Sequence, residues 1–306
     1  MNIFSAYYNA KLLITSEYLV LNGAEALAMP LRFGQSLEVS SGANALIWTS
    51  VAQDGTVWFK GEYSLTDFQI TSSSDAATAI YPQRLLRAAR KLKPDFCVGV
   101  TGLDVVSKLN YPQPWGLGSS STLIAAVAGW ANIDPFQLHF SVSNGSGYDI
   151  ACALSNTPII YKVLNQQPEY RAVSFRPDFA SRIFFAYLGR KQDSAEGIKS
   201  YKARNVVPSP GLIQQATALT GLIMNASGAE EFEKLLTQHE EMISSLLGVS
   251  PLGKTIFAGM PGAVKSLGAW GGDFCMGIWQ DDISGLPAFM KSKGIETWFN
   301  FNEIVL

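Results

Sequence analysis

The chain has 306 residues, of which 47% are hydrophobic and 16% are charged, and its formal net charge is −2. A chain of this length and apolar content forms one large domain or two modest ones, which excludes a disordered chain. The near-neutral charge, without a basic stripe, argues against a nucleic-acid-binding surface. The three cysteines, Cys97, Cys152 and Cys275, form no Cys-x-x-Cys pair, so we expect reduced thiols in a cytoplasmic protein and no structural zinc.

Signals for membranes and for export are weak in this sequence. The first ten residues lack a basic segment followed by a long apolar one, so we expect no signal peptide. No apolar run approaches the length that spans a bilayer, so we expect no membrane partner. With only His139 and His239 present, a mechanism built on several histidines is disfavoured.

Short apolar blocks punctuated by glycine predict strands in the first third of the chain, and Asp54-Gly55 predicts a hairpin turn. Longer segments with apolar residues at helical spacing predict helices. Strands are expected at residues 2–8, 11–21, 35–40, 46–60, 97–106, 158–163 and 182–189, and helices at residues 75–93, 119–130, 134–142, 148–154, 213–227 and 230–247.

A segment rich in Gln, Pro and Arg, residues 164–178, predicts a domain boundary. The predicted domains are residues 1–165 and residues 166–306. The alternation of short apolar blocks with Gly and Pro over residues 273–305 is typical of a small α+β domain.

The most informative segment is a glycine-rich turn that leads into three serines and an apolar helix. Gly116 and Gly118 allow the backbone to bend sharply and approach a ligand closely. Serines at a helix start cap free N–H groups, and such a helix start binds phosphate. The hydroxyls could also reach a metal ion carried by that phosphate. On this segment alone, an ordinary capped helix is an equally good interpretation.

A second glycine-serine turn, residues 144–148, delivers Asp149 at the start of an apolar segment. This carboxylate either charges a helix N-terminus or lies beside a phosphate site, where it orients or deprotonates a hydroxyl group. A third segment, residues 265–275, is rich in glycine and forms either a ligand-binding loop or a plain turn between a helix and a strand.

A fourth segment places Lys11 and Glu17 in an otherwise apolar stretch. Such side chains are rarely buried without partners, and the alternative is an edge strand with both side chains in water. Residues 248–255 match the P-loop pattern Gly-x-x-x-x-Gly-Lys-Thr. A helix is predicted before Gly248, where a P-loop requires a strand, so we expect no P-loop here.

Taken in order, these segments resemble the GHMP kinase superfamily over nearly the whole chain. The turn from Pro114 to Ser120 resembles the Pro-x-x-Gly-Leu-Gly-Ser-Ser phosphate loop of that family, and residues 265–273 resemble its C-terminal glycine motif. Three segments resemble the phosphomevalonate kinase branch in particular: Glu17-Tyr18-Leu19-Val20-Leu21, Gly147-Tyr148-Asp149-Ile150-Ala151 and Gly271-Gly272-Asp273. Residues 189–194 are similar to a substrate-side segment of these enzymes.

Departures from the family pattern are also present. Asn9-Ala10 replaces the usual Pro-Gly, Leu267 replaces a small residue, and Trp270 replaces a glycine. The family often carries a magnesium-binding glutamate on the helix before its catalytic aspartate, but residues 135–148 contain no carboxylate. Magnesium is then expected on Ser120 and the phosphates, with Glu17 or Asp134 as alternatives.

The resemblance implies a two-domain α+β fold, with a ribosomal protein S5 domain 2-like N-terminal domain and a ferredoxin-like C-terminal domain. It implies an ATP- and Mg²⁺-dependent kinase of small molecules in the mevalonate pathway, with mevalonate or phosphomevalonate as acceptor. Asp149 would orient or deprotonate the acceptor, and Lys11 would stabilise the transferred phosphoryl group and favour ionised Asp149. The residues expected to bind ATP are Pro114, Trp115, Gly116, Leu117, Gly118, Ser119, Ser120 and Ser121, with Ser120 also at Mg²⁺; those expected to bind the acceptor are Glu17, Tyr18, Ser146, Gly147, Lys191, Ser194, Gly268, Ala269, Gly271, Gly272 and Asp273.

Several alternatives remain open at this point. The acceptor could be that of mevalonate kinase or of another GHMP metabolite kinase, whereas the further signatures of a diphosphomevalonate decarboxylase are missing. From a different class, the chain could be a nucleotide-binding homologue with impaired catalysis. Arg190, Lys191 and Lys199 are candidates for holding a phosphate-bearing acceptor, or are surface charges. Both a monomer and a homodimer are compatible with the sequence.

Overall fold

A computed structural model describes residues 1–189, 194–203, 207–270 and 273–306. The described chain is a mixed α+β protein with two sheets, as the sequence predicts. Its strands are β1 (Asn2–Leu13), β2 (Ala26–Ser41), β3 (Leu46–Val51), β4 (Val57–Tyr63), β5 (Ile70–Ser73), β6 (Leu103–Leu109), β7 (Ile159–Leu164), β8 (Gln167–Ala172), β9 (Ile183–Tyr187), β10 (Gly262–Ser266), β11 (Phe274–Trp279) and β12 (Trp298–Asn300). Its helices are α1 (Ala76–Leu92), α2 (Ser119–Ala131), α3 (Pro135–Val142), α4 (Tyr148–Ala153), α5 (Ser194–Ala203), α6 (Pro210–Met224), α7 (Ala229–Leu247), α8 (Leu286–Ser292) and α9 (Phe301–Ile304).

The chain forms two compact units, and each is discontinuous in sequence. The first unit comprises Met1–Ala10, Phe33–Gln113 and Gly118–Leu154, and the second comprises Lys11–Arg32, Pro114–Leu117 and Ser155–Leu306. The chain passes from one unit to the other within β1 and again within β2. One end of each of these strands therefore belongs to the first unit and the other end to the second. The sequence instead predicts two continuous domains that meet at residue 165, and this division stays a prediction.

In the first unit the strands follow the order β5-β4-β3-β6-β2, with β1 also paired to β2. The predicted hairpin is confirmed: β3 and β4 pair antiparallel around a turn in which Gly55 has φ 88°. Side chains of β3 alternate between buried and half-buried, so one sheet face packs inward. The core on that face is apolar and includes Trp48, Phe59, Leu86, Ile124 and Leu138.

In the second unit a four-stranded antiparallel sheet has the order β10-β11-β9-β12. Its core contains apolar side chains of β9, β11 and α8, among them Phe184, Cys275 and Met290. The β7–β8 hairpin pairs with the start of β2 in this unit. Helices α6 and α7 agree with the two long helices expected from the sequence.

Two expectations about local structure are wrong. The apolar residues after Leu13 do not continue as a strand, because Ser16 and Tyr18 adopt positive φ and the chain turns into a short 3₁₀ helix, Leu19–Asn22. The strand expected at residues 97–106 begins only at Leu103, after a turn in which Cys97 has φ 59°. Strand β8 lies within residues 164–178, the segment that predicts a domain boundary. Short apolar runs alone do not distinguish a strand from a buried turn.

Membrane-spanning helices are not found in the described part of the chain, where no helix is both long and apolar enough to cross a bilayer.

Candidate active site

The glycine-rich turn leads into α2 as predicted, but its serines do not cap the helix. Gly118 occupies the N-cap position with φ 96°, and no side chain caps the helix there. Ser119, Ser120 and Ser121 form the first turn of α2 instead. The first-turn amides of an α-helix lack partners within the helix, and the helix dipole makes its start favourable for an anion. The arrangement suits a phosphate group.

The first unit also positions Asp149. This residue lies in the first turn of α4, behind the N-cap Gly147, which has φ 86°. The Ser121 hydroxyl donates a hydrogen bond to Asp149 Oδ2, and the Ile150 amide donates to Asp149 Oδ1 at 3.2 Å. The serine turn and the Asp149 carboxylate, which are two separate motifs in the sequence, are therefore in direct contact in the structure.

Two side chains that sequence reasoning missed support this part of the site. The Tyr81 hydroxyl, on α1, donates to the Ser120 carbonyl at 3.1 Å. Burial raises the pKa of Tyr81 to about 12, and the nearby Asp149 charge adds to the increase. His139 Nε2 lies 3.3 Å from the Gly145 carbonyl, in the loop that carries the predicted acceptor residues Ser146 and Gly147. No local sequence signal distinguishes Tyr81 from other helical residues.

The second unit holds the other half of the turn, next to Lys11. The Lys11 side chain is buried, which excludes the solvent-exposed alternative. Its Nζ atom donates to the Gly116 carbonyl at 3.4 Å, and its amide donates to the Leu117 carbonyl at 3.1 Å. Lys11 thus lies against the predicted phosphate loop.

Asp273 packs against the same loop. Gly116 has φ 70°, and a Cβ atom added there would lie 2.6 Å from the carboxyl carbon of Asp273. The position therefore requires glycine both for its backbone conformation and for space.

Aromatic side chains hold the residues before Gly116. The Trp115 ring centroid lies 5.4 Å from that of Phe299, 6.0 Å from that of Phe274 and 6.2 Å from that of Tyr187. The Tyr187 hydroxyl donates to the Pro114 carbonyl at 3.1 Å. These aromatic residues come from β9, β11 and β12, which are distant from the loop in sequence, so sequence reasoning missed them.

Glu17, which we expected to contact the acceptor, has a wholly buried side chain. Lys265 Nζ donates to Glu17 Oε1 and also to the Ser266 carbonyl, the latter at 2.6 Å. Burial raises the pKa of Glu17 to about 7, against the lowering effect of Lys265. The carboxylate is engaged in a buried ion pair that the sequence did not indicate.

Two further residues of α7 belong to this buried cluster. His239 Nε2 accepts a hydrogen bond of 2.9 Å from the Ser16 amide, and burial holds the pKa of His239 well below its ordinary value. Glu240 accepts from both the amide and the hydroxyl of Ser266, at 2.8 and 3.1 Å. The cluster thus fixes the backbone where the glycine segment begins.

Tyr18 connects this region with the glycine segment and α5. Its hydroxyl donates to the Ala269 carbonyl at 3.0 Å, and its ring centroid lies 5.1 Å from that of Tyr201. Of the predicted acceptor residues, Tyr18 therefore contacts Ala269, which follows Gly268 in the chain. Of the other predicted residues, Ser194 begins α5, whereas Arg190, Lys191, Gly271 and Gly272 lie outside the described residues.

The apparent P-loop is excluded by its context, as expected. Helix α7 precedes Gly248, which ends it with φ 61°, and a short 3₁₀ helix, Leu252–Lys254, follows. A P-loop instead joins a strand to an α-helix.

No group of three or more His, Cys, Asp or Glu side chains within the described ranges could hold a metal ion. Asp134, one alternative for magnesium, accepts from the Phe136 amide at 2.8 Å as the N-cap of α3. The amides at the start of α2 suit the phosphates and not the cation itself, so a magnesium ion that arrives with a nucleotide would be held mainly by phosphate oxygens and water. The Ser120 hydroxyl stays the predicted contact.

Comparison with known proteins finds similarity in the fold. No protein-family profile matches the chain. No curated protein sequence matches it either. Among solved structures, the Listeria innocua Lin0012 protein has a TM-score of 0.73 at 15% identity, covering 96% of both chains. Streptococcus pneumoniae phosphomevalonate kinase in complex with phosphomevalonate and AMPPNP has a TM-score of 0.72 at 15% identity, covering 97% of this chain and 99% of the enzyme.

Methanococcus jannaschii mevalonate kinase has a TM-score of 0.68 at 15% identity, covering 97% of both chains. The chain therefore has the two-domain α+β fold of the GHMP kinases, over nearly its full length.

Proposed function

We propose that this protein is an ATP- and Mg²⁺-dependent small-molecule kinase of the GHMP type. One observation carries the proposal: the uncapped helix start at Gly118, suited to a phosphate group, is hydrogen-bonded through Ser121 to the carboxylate of Asp149. Phosphoryl transfer depends on positioning and on charge stabilisation at the phosphates, with a carboxylate that can orient the attacking group.

In the proposed reaction, Gly116, Gly118, Ser119 and Ser120 bind the phosphates of ATP through the loop backbone and the helix start. The attacking oxygen of the acceptor, a phosphate oxygen in 5-phosphomevalonate or a hydroxyl oxygen in mevalonate, forms a bond to the γ-phosphorus. The bond from that phosphorus to the β,γ-bridging oxygen breaks, and ADP leaves. Asp149 orients the attacking group and takes the proton that it carries, from the monoprotonated phosphate of 5-phosphomevalonate or from the hydroxyl group of mevalonate. Magnesium supplies charge neutralisation at the phosphate oxygens, with Ser120 as its protein contact.

Lys11 supplies positive charge for the transferred phosphoryl group. Its Nζ atom is already directed to the Gly116 carbonyl, so it needs no large rearrangement to act at the loop. A preorganised charge contributes more in a water-excluded site than it would in water.

The acceptor that we propose is 5-phosphomevalonate. Tyr18 and the glycine segment, which resemble the phosphomevalonate kinase branch, are in contact through the hydrogen bond from Tyr18 to Ala269. The fold similarity does not favour one acceptor, since a phosphomevalonate kinase and a mevalonate kinase match with TM-scores of 0.72 and 0.68. Mevalonate is therefore the alternative acceptor.

The test is ATP consumption with Mg²⁺ against mevalonate, 5-phosphomevalonate, homoserine and galactose, by the parent protein and by Asp149→Asn. We expect turnover with 5-phosphomevalonate, and a loss of about 10²- to 10⁴-fold in kcat for the variant with ATP binding retained. Turnover with another compound alone would change the acceptor and keep the mechanism. Full activity of Asp149→Asn would refute the role of that residue.

A second candidate is a nucleotide-binding homologue without catalysis. Two observations favour it: residues 135–148 contain no carboxylate, and Trp270, buried with φ 43°, occupies a position where the family has glycine. ATP binding by calorimetry without turnover of any acceptor would support this candidate.

A further inference from the structure

Ser121 lies one residue beyond the part of the turn that resembles the family phosphate loop. Its side chain is 6% exposed, although it belongs to the first turn of α2. The hydroxyl group donates to Asp149 Oδ2. A serine hydroxyl has a single proton to donate, so while it serves Asp149 it cannot donate to a phosphate oxygen as well.

Asp149 depends on this contact for its orientation. It belongs to a helix of only six residues, α4, and its other oxygen accepts, within the described part of the chain, one hydrogen bond of 3.2 Å from the Ile150 amide next in sequence. A neighbouring amide does not fix the rotation of the carboxylate relative to the rest of the site. The Ser121 hydroxyl does so from another helix.

Helix α2 is a rigid support for such a contact. Residues 123–128 of this helix are all buried, and all of them except Ala125 belong to the apolar core of the first unit. The same helix begins at the proposed phosphate site, so its first turn presents backbone amides at its start and the Ser121 hydroxyl to Asp149. Helix α2 therefore both forms the proposed phosphate site and contacts the carboxylate.

We propose that Ser121 is a positioning residue, which fixes the Asp149 carboxylate in the orientation that receives the proton of the attacking group of the acceptor. This inference rests on the proposed kinase function. It assigns Ser121 to the proton-accepting side of the reaction, whereas the sequence places it among the ATP-binding residues. Its effect is expected on kcat, through Asp149, and not on the KM for ATP.

The experiment is a double-mutant cycle with Ser121→Ala and Asp149→Asn, read by single-turnover kinetics with the acceptor identified above. We expect Ser121→Ala to lower the rate about tenfold to a hundredfold, the range for a hydrogen bond to a charged group, with the KM for ATP unchanged. Ser121→Thr keeps the hydroxyl group and should restore most of the rate. In the Asp149→Asn background, Ser121→Ala should have no further effect.

Ser141→Ala is the control, since this helical serine of the same unit donates its hydroxyl hydrogen bond, among the described residues, to the Leu138 carbonyl at 2.7 Å and not to a carboxylate. It should keep the parental rate. Where Ser121→Ala fails to fold, as judged by thermal unfolding, Ser121→Cys retains the size with a weaker donor and should give an intermediate rate.

The outcomes separate the two proposals. A parental rate for Ser121→Ala together with an inactive Asp149→Asn would overturn this inference and leave the kinase function standing. A raised KM for ATP with an unchanged kcat would make Ser121 a phosphate contact and would also overturn it. Full activity of Asp149→Asn would instead count against the proposed mechanism itself.

Discussion

Lys265 and Glu17 form a hydrogen-bonded ion pair although both side chains are wholly buried. The pair joins β10 to the turn after β1, where Ser16 and Tyr18 adopt positive φ. Positive φ at such residues is costly and persists where the surrounding structure enforces it. The ion pair, with the bond from the Ser16 amide to His239, supplies that enforcement.

Replacement of Lys265 by Met should therefore destabilise the protein strongly. Removing one partner of a buried pair leaves an uncompensated charge, and the cost is about 3–5 kcal/mol. Urea unfolding measures it. The double variant Glu17→Met with Lys265→Met should recover most of the loss. Lys254→Met is the control, because Lys254 forms an exposed pair with Glu241 at 4.0 Å and should change stability little. Equal effects at Lys265 and Lys254 would contradict the role of the buried pair.

Stability at mildly acidic pH should depend on His239. Burial, with Lys265 acting in the same direction, holds the pKa of His239 well below its ordinary value of 6.5. Below pH 6.5 the unfolded chain therefore binds a proton at this residue that the folded protein does not bind, so stability falls as pH falls. His239→Gln should lose less stability than the parent between pH 7 and pH 5, measured as Tm against pH.

Glu17 should contribute in the opposite sense. The pKa of Glu17 is raised from 4.5 to about 7, so the folded protein binds a proton that the unfolded chain has lost over this range. The resulting contribution to the free energy of unfolding is complete below pH 4.5 and is lost as pH rises to about 7. The difference in Tm between the parent and Glu17→Gln should therefore shrink as pH rises from 4.5 to about 7. Parallel Tm curves for the parent and both variants would show that neither group titrates differently on folding.

Gly116→Ala should destabilise the predicted phosphate loop by more than the cost of a positive φ alone. Gly55 is the matched control, since it has φ 88° with nothing within 4 Å of an added Cβ. Gly55→Ala should cost only the left-handed conformation, about 1–2 kcal/mol. Gly116→Ala should cost more and weaken ATP binding, because its Cβ meets Asp273. Asp273→Ala should relieve part of that loss, and equal costs at both glycines would contradict the close approach.

Lys11→Met should lower kcat about 10²- to 10³-fold, the effect of removing one preorganised group that stabilises transition-state charge. The Kd for ATP should change much less. Lys11→Arg keeps the charge but not the geometry and should retain part of the rate. Lys254→Met should have parental kinetics, and a loss of activity there without one at Lys11 would reverse the assignment.

The α+β fold, which the family resemblance implied, and the glycine-rich turn that leads into α2 could be predicted from the sequence, because the motifs behind both are local patterns. The spacing of Gly116, Gly118 and the serines indicated a helix start, and α2 begins at Ser119. The periodicity of residues 230–247 indicated a helix before Gly248 and correctly excluded a P-loop. These features depend on residues that are neighbours along the chain.

The partners of the charged residues were decided only by the tertiary structure. The Glu17–Lys265 bond joins residues 248 positions apart, and the bond from Ser121 to Asp149 spans 28 positions. No periodicity encodes such pairs, because they depend on which surfaces of distant elements pack together. The sequence determined that Lys11, Glu17 and Asp149 are unusual in their apolar surroundings. Only the folded chain determined that Glu17 lies in a buried ion pair and that Asp149 is held by Ser121.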